Sequence, residues 1–309
     1  MLVFVLNRSK LLELIGKYLT PLIIFILLAI ILLGLFSESD TSGSSIFDNS
    51  FTAGIIEGYQ TFDAIGGVVV GGVIVISFAL QGVYSYAEKR RMIAKSGFFA
   101  GLGLFVIYTG LIAVGATYSG ETVVEHRTEL LGLLSTNTLG NIGTAFLAVL
   151  VALACFTTAV GVVTGTADFV KGLFAGSRKA YMFTAVAGCL IGILVGQQAV
   201  GYIIEIAVPA LMIIYPITIA LILLSVLPES YRTRLTYRIV IVAAIVFSIP
   251  DFIETLPFRL ISESSVNAIK EAIPLSDKGM GWVLPTLIGF IVARLIEHFR
   301  PFKKRPLKN

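Results

Sequence analysis

The sequence predicts an all-α polytopic membrane protein with about eight transmembrane helices. Of its 309 residues, 56% are hydrophobic and only 14% are charged, and the mean hydropathy is +0.92. This composition is typical of chains that cross a bilayer several times. The apolar runs do not alternate with polar residues as the strands of a closed barrel do. No polar linker divides the chain, so we expect one membrane transport domain over residues 1–309.

Eight apolar runs are long enough to cross a hydrocarbon core of about 30 Å. The predicted spans are 18–36, 52–87, 97–118, 138–167, 180–204, 206–227, 237–254 and 280–299. With the N-terminus placed in the cytoplasm, 19 of the 23 lysines and arginines fall on the cytoplasmic side. The other four are Arg127, Arg259, Lys270 and Lys278. Because basic residues mark cytoplasmic loops, we expect a plasma-membrane protein with both termini inside and no nucleic-acid partner.

The second run is too long for one straight span. Residues 51–86 number 36, which is about 54 Å of helix at ~1.5 Å per residue. The polar residues Gln60, Thr61 and Asp63 lie near its middle, and a carboxylate at membrane depth costs about 2.5 kcal/mol or more unless it has a partner. The run is therefore predicted to break within 58–67 and to form a site there.

A break of this kind leaves carbonyls free at the end of the outer half-helix and amides free at the start of the inner one. Such carbonyls suit Na⁺, and the amides at a positive dipole end suit a carboxylate. Two structural roles remain open for Asp63. It is either a carboxylate bonded across helices or the N-cap of an inner half-helix that starts at Ala64. We expect Glu57, just before the break, to lie at the outer interface.

Thr157 and Thr158 form a second polar group inside an apolar run. Their hydroxyls point about 100° apart on a helix, so one can face a cavity while the other bonds back to the helix. The alternative is that both bond to carbonyls of their own turn, as threonines in membrane helices usually do. Oxygen ligands alone fit a hard monovalent cation better than a transition metal.

Glycines recur four residues apart, a spacing that lets membrane helices approach closely. The predicted packing positions are Gly67, Gly71, Gly97, Gly101, Gly161, Gly165, Gly188, Gly192 and Gly196. Hinge points for gating are the functional alternative. In the sixth run, Pro209 and Pro216 are expected to kink the helix.

No sign of enzyme chemistry accompanies these features. The chain has no phosphate-binding loop, metal-ligand spacing or catalytic triad at membrane depth. His126 and His298 each lack a companion ligand and are expected to be interfacial, while Cys155 and Cys189 are expected to be packing residues. We expect no catalytic residue and no cofactor beyond a coupling Na⁺.

At these residues the chain resembles the branched-chain amino acid:cation symporters, the BrnQ or LIVCS family of bacterial carriers. The first match is Gly-Tyr-Gln-Thr-Phe-Asp at 58–63, followed by a glycine-rich run. The others are Ala154–Gly161, Val208-Pro209 with Ile214-Tyr215-Pro216, and the start of the last span at Trp282.

The resemblance implies a partial LeuT-like fold, in which this chain matches helices five to twelve. It also implies that the first four helices are absent and that the chain is an N-terminally truncated carrier. By carry-over, Thr157 and Thr158 bind the coupling Na⁺. The implied substrate-binding residues are Gly58, Tyr59, Gln60, Thr61, Phe62, Asp63, Gly66 and Gly67.

The sequence and this resemblance therefore predict secondary active transport of leucine, isoleucine and valine, coupled to Na⁺, with H⁺ as the alternative coupling ion. The alternative is a non-transporting membrane fragment, or a partner subunit that needs a separately encoded N-terminal part. An integral membrane enzyme is a distant third hypothesis.

Overall fold

The computed structural model describes residues 1–6, 15–36, 49–80, 85–117, 132, 135–136, 140–257 and 269–299. Every regular element in these residues is helical. The basic tail after residue 299 and His126 lie outside the described residues. The α-helices are α1 (Leu2–Leu6), α2 (Thr20–Leu35), α3 (Ser50–Tyr59), α4 (Asp63–Leu80), α5 (Tyr86–Thr117), α6 (Asn141–Leu173), α7 (Arg178–Gly196), α8 (Val200–Val226), α9 (Arg234–Glu254) and α10 (Val283–Phe299).

Seven helical segments of the described chain are long and apolar enough to cross a membrane. They are Gly16–Leu35, Ser50–Ile76, Tyr86–Ala116, Ile142–Leu173, Arg178–Gly196, Val200–Val226 and Arg234–Glu254. The all-α polytopic architecture is therefore confirmed. The eighth predicted span corresponds to α10, whose 17 residues extend about 25 Å, so its crossing stays a prediction.

One predicted boundary is wrong. The fifth and sixth spans were expected to meet near residue 205, but α7 ends at Gly196 and α8 begins at Val200. The connection holds Gln197 and Gln198, where the Gln198 amide donates to the Val195 carbonyl at 3.0 Å, and Glu205 lies inside α8. A single carboxylate is therefore tolerated within a helix whose other residues are nearly all apolar. Pro209 and Pro216 are inside the same helix and buried.

The described chain divides into two compact units. The first comprises Met1–Ser50 and Val69–Ile191, and the second comprises Phe51–Val68 and Gly192–Asn309. In the first unit, Ile26 and Ile30 of α2 pack on Leu150 of α6. In the second, Leu224 of α8 and Val240 of α9 share a buried cluster with Phe290 of α10. Each unit thus has its own apolar contacts between helices.

Only some of the spaced glycines mark close helix packing. A Cβ added at Gly165 of α6 would lie 3.1 Å from the Val69 side chain and 3.3 Å from the Val69 carbonyl oxygen. Added atoms at Gly161 and Gly188 would also contact valines of neighbouring helices. The other predicted positions have no neighbour within 4 Å of the added atom among the described residues: Gly67, Gly71, Gly97, Gly101, Gly192 and Gly196. Among the predicted packing positions, an added Cβ therefore has a neighbour on another helix only at Gly161, Gly165 and Gly188 in the described residues.

We predict that Gly165→Leu destabilises the first unit, because the new side chain has to displace backbone as well as side-chain atoms of α4. Overpacking of this kind costs about 1–3 kcal/mol. The matched control is Gly97→Leu on α5, where the added Cβ meets nothing within 4 Å. Thermal unfolding of the purified protein in detergent is the measurement. Equal melting temperatures for the two variants would contradict the packing of α6 on α4.

Candidate substrate site at the helix break

The long second run breaks where the sequence predicts. Helix α3 ends at Tyr59 and α4 begins at Asp63, and the linker residue Phe62 has a φ of 56°. This left-handed backbone is uncommon for a residue other than glycine. Of the two structural roles left open for Asp63, the N-cap of a helix starting at Ala64 does not fit this boundary. Asp63 is itself the first residue of α4, so its carboxylate lies in the first turn, where the helix dipole favours negative charge.

Hydrogen bonds within the break hold the end of α3. The Gly58 carbonyl accepts from the Thr61 hydroxyl at 2.8 Å and from the Thr61 amide at 3.4 Å. The Tyr59 carbonyl accepts from the Phe62 amide at 3.4 Å. Thr61 therefore satisfies a carbonyl that the sequence left free for a ligand, and its side chain has a structural role in the break.

Three aromatic side chains surround the linker. The rings of Tyr59 and Phe62 each lie 5.0 Å from the ring of Tyr215 on α8, in edge-to-face geometry, and 6.5 Å from each other. Edge-to-face pairs contribute about 0.5–1.5 kcal/mol beyond the apolar area they bury. Tyr215 is only 5% exposed. We call these residues, together with Trp282, the aromatic cluster.

Trp282 is joined to the rest of the cluster by a hydrogen bond. Its indole Nε1 donates a hydrogen bond of 2.9 Å to the Tyr59 hydroxyl, and the residue is 4% exposed. The Tyr215 hydroxyl faces the Ala64 backbone amide at the start of α4. Both half-helices at the break are therefore held by side chains from other elements of the same unit.

The backbone of the break is open on its glycine faces. A Cβ added at Gly58, Gly66 or Gly67 would have no neighbour within 4 Å in the described chain. Asp63 is exposed, and Gln60 and Phe62 are partly exposed. The break thus presents a carboxylate, the first turn of α4 and an aromatic ring to a small molecule.

The predicted ion-binding threonines belong to the first unit, and the break belongs to the second. Thr157 Oγ1 donates to the Ala154 carbonyl at 3.0 Å. This bond matches the alternative in which a threonine bonds within its own turn. Thr158 is exposed on α6. That these threonines share a site with the break stays a prediction.

Sequence reasoning did not select Tyr215, Asp251 or Ser276 as site residues. Asp251 is 3% exposed, one turn before the end of α9. A carboxylate within the apolar run 237–254 was the available signal, and it is the same signal that selected Asp63. Ser276 is 1% exposed and had no signal, because serine in a polar loop is ordinary.

Discontinuous membrane-length helices, such as the one formed by α3 and α4, occur in many transporter folds. The family model described as branched-chain amino acid transport protein matches residues 1–300. The chain belongs to this family, as the motif at 58–63 predicted. The family is one of transporters and not of enzymes.

Curated relatives cover most of this chain. The branched-chain amino acid permease BraB of Bacillus subtilis is 30% identical over 300 residues, which are 95% of this chain and 66% of that protein. The branched-chain amino acid permease BrnQ of Corynebacterium glutamicum is 29% identical over 295 residues, 94% of this chain and 65% of its own length.

A third relative is the branched-chain amino acid transport system 2 carrier protein of Pseudomonas aeruginosa. It is 29% identical over 297 residues, which cover 94% of this chain and 66% of that carrier. The chain therefore spans about two thirds of the length of these relatives. No solved structure matches the chain.

We predict that Tyr59→Phe shifts the tryptophan emission maximum to shorter wavelength, because the indole loses its hydrogen-bond acceptor. Trp282 is the one tryptophan of the chain, so fluorescence of the purified protein reports this bond alone. Tyr202→Phe is the matched control, since Tyr202 is 52% exposed on α8. An unchanged spectrum in Tyr59→Phe would show that Trp282 and Tyr59 are not bonded.

Proposed function

We propose that the chain performs secondary active transport of leucine, isoleucine and valine across the plasma membrane, coupled to Na⁺ or H⁺. The observation behind this proposal is the helix break at Gln60–Phe62 in a chain that belongs to a branched-chain amino acid transport family. Discontinuous helices form substrate sites in secondary transporters, because their ends offer backbone groups and dipoles to a ligand. A LeuT-like arrangement of helices and cytoplasmic termini are part of the same proposal.

An amino acid zwitterion needs partners of both signs, and the break offers both. In the proposed complex, the substrate carboxylate meets backbone amides in the first turn of α4, at the positive end of its dipole. The substrate ammonium meets the Asp63 carboxylate. Backbone within 58–67 lies close to both groups, and the absence of side chains at Gly58, Gly66 and Gly67 allows the approach.

The aliphatic side chain of the substrate is assigned to the apolar surface beside Phe62. Burial of such a side chain contributes about 0.8 kcal/mol per CH₂ group. This term favours leucine, isoleucine and valine over smaller or charged amino acids. The exposed Val68 of α4 lies on the chain two turns beyond the linker and offers further apolar area.

Coupling requires that the cation and the substrate bind the same conformational state. Inward movement of one cation contributes about 2.3 kcal/mol per 100 mV of membrane potential. Thr157 and Thr158 are the proposed Na⁺ ligands by analogy with LeuT-like carriers. The bond from Thr157 to Ala154 has to exchange for Na⁺ coordination in that proposal.

A second proposal is that the chain is a non-transporting fragment, or a partner subunit that requires a separately encoded N-terminal part. The observation behind it is the coverage of 65–66% of the length of the relatives. The two proposals differ in one result, namely whether the 309-residue chain transports substrate alone.

We predict saturable uptake of labelled leucine into proteoliposomes that contain the chain, driven by an inward Na⁺ gradient and inhibited by excess isoleucine or valine but not by lysine. A second arm adds the N-terminal third of a homologous carrier. Uptake only in the second arm would support the partner-subunit proposal. Leucine uptake at the same rate with and without a Na⁺ or pH gradient would contradict coupling.

We predict that Asp63→Asn lowers leucine uptake by more than tenfold, since a hydrogen bond to a charged partner contributes about 1.5–3 kcal/mol. The matched control is Glu57→Gln, an exposed carboxylate on α3 six residues earlier, which should leave uptake near wild type. Initial rates and the concentration dependence separate binding from turnover. Equal uptake in both variants would remove Asp63 from the site.

A further inference from the structure

Asp251 and Ser276 are two buried polar side chains of the second unit. Asp251 lies on α9 and is 3% exposed, and Ser276 lies in the segment before α10 and is 1% exposed. Among the described residues, neither Asp251 Oδ1 nor Ser276 Oγ has a hydrogen-bond partner. The Ser276 hydroxyl lies close enough to the Asp251 carboxylate to interact with it electrostatically, although the two groups do not meet the geometry of a hydrogen bond. Buried polar groups are almost always paired, so this pair indicates a missing ligand.

The charges around the pair add up to one uncompensated negative charge. The charged groups acting on Asp251 are Glu254 of its own helix and Lys270 of the segment before α10. Lys270 is ion-paired with Glu254, and its side chain is only 13% exposed. One ammonium therefore faces two carboxylates, and a single positive charge bound at Asp251 would neutralise the group.

The pair also adjoins the helix break. Tyr59, the last residue of α3, interacts electrostatically with Asp251, and its hydroxyl is held by Trp282. Asp251 and Ser276 thus contribute carboxylate and hydroxyl oxygens, and the Tyr59 hydroxyl lies within electrostatic range of that carboxylate. Hard monovalent cations prefer such oxygens.

We propose that Asp251 and Ser276, with the Tyr59 hydroxyl, form a monovalent-cation site for Na⁺ or H⁺, separate from Thr157 and Thr158. This inference rests on the proposed coupled transport and names where its cation binds. A cation at Asp251 acts directly on Tyr59, which begins the break. Cation occupancy is thereby linked to the geometry of the substrate site through one side chain.

The test is a titration of Trp282 fluorescence in the purified chain without leucine. NaCl is titrated against choline chloride at fixed pH, and pH is then varied at zero Na⁺. The wild type should respond saturably to Na⁺ if Na⁺ is the ligand, or to pH alone if H⁺ is. Asp251→Asn should abolish that response, and Ser276→Ala should weaken Na⁺ affinity about tenfold.

Asp277→Asn is the matched control, because Asp277 follows Ser276 directly but is exposed; it should respond like the wild type. Size-exclusion profiles and melting temperatures identify any variant that fails to fold, and Ser276→Ala then serves as the second variant. Cation responses that persist in Asp251→Asn, or are absent from the wild type, would overturn the site.

Leucine uptake is measured on the same preparations so that the two claims can fail separately. Leucine uptake without any cation response of Trp282 would contradict the proposed cation site but not the proposed transport. A cation response that depends on Asp251 without leucine uptake would support the site and contradict the proposed transport.

Discussion

Backbone polar groups in a hydrocarbon environment have to be paired within the protein, and the interruption between Tyr59 and Asp63 is where this chain cannot pair them by helix alone. Phe62 has a left-handed backbone there, a conformation that persists only when its surroundings enforce it. The Thr61 hydroxyl donates a hydrogen bond to the Gly58 carbonyl. Rings from α8 and from the segment before α10 hold the two half-helices. The substrate proposal depends on this enforced break.

One buried carboxylate of the same unit interacts with a residue of the break. Tyr59 belongs to the aromatic cluster and interacts electrostatically with Asp251, and the ion-paired Lys270 and Glu254 act on the same carboxylate. A buried charge is costly unless it is paired. A cation that completes the pairing of Asp251 would therefore stabilise one arrangement of Tyr59, and with it one arrangement of the break. In this proposal, coupling is the stabilisation of one conformation of the break by the bound cation.

The fold was largely predictable because hydropathy is a local property. Hydropathy identified the long helices, and the length of the 51–86 run together with Asp63 located the break to within a few residues. The meeting point of α7 and α8 was placed near residue 205, but the helices meet at 197–199, because a single carboxylate such as Glu205 does not end a helix.

The site was only half predictable, since its partners come from distant parts of the chain. Tyr215, Asp251 and Trp282 meet Tyr59 through tertiary packing, which no local pattern encodes. Asp251, like Asp63, is a carboxylate in an apolar run. It has no neighbouring glycines, however, and so nothing in the sequence indicated a helix break or a site there. Thr61 was predicted as a ligand residue and instead bonds within the break, because its hydroxyl reaches the carbonyl three residues earlier.

Hydrogen exchange at the break tests the central claim most directly. The amides of Thr61 and Phe62 make bonds of 3.4 Å, longer than is usual for helices, so a peptide covering 58–67 should exchange faster than the interior of α8. Leucine added with the coupling cation should slow exchange in that peptide and leave the peptide covering α7 unchanged. Exchange in 58–67 as slow as in α8, with no response to leucine, would contradict the account.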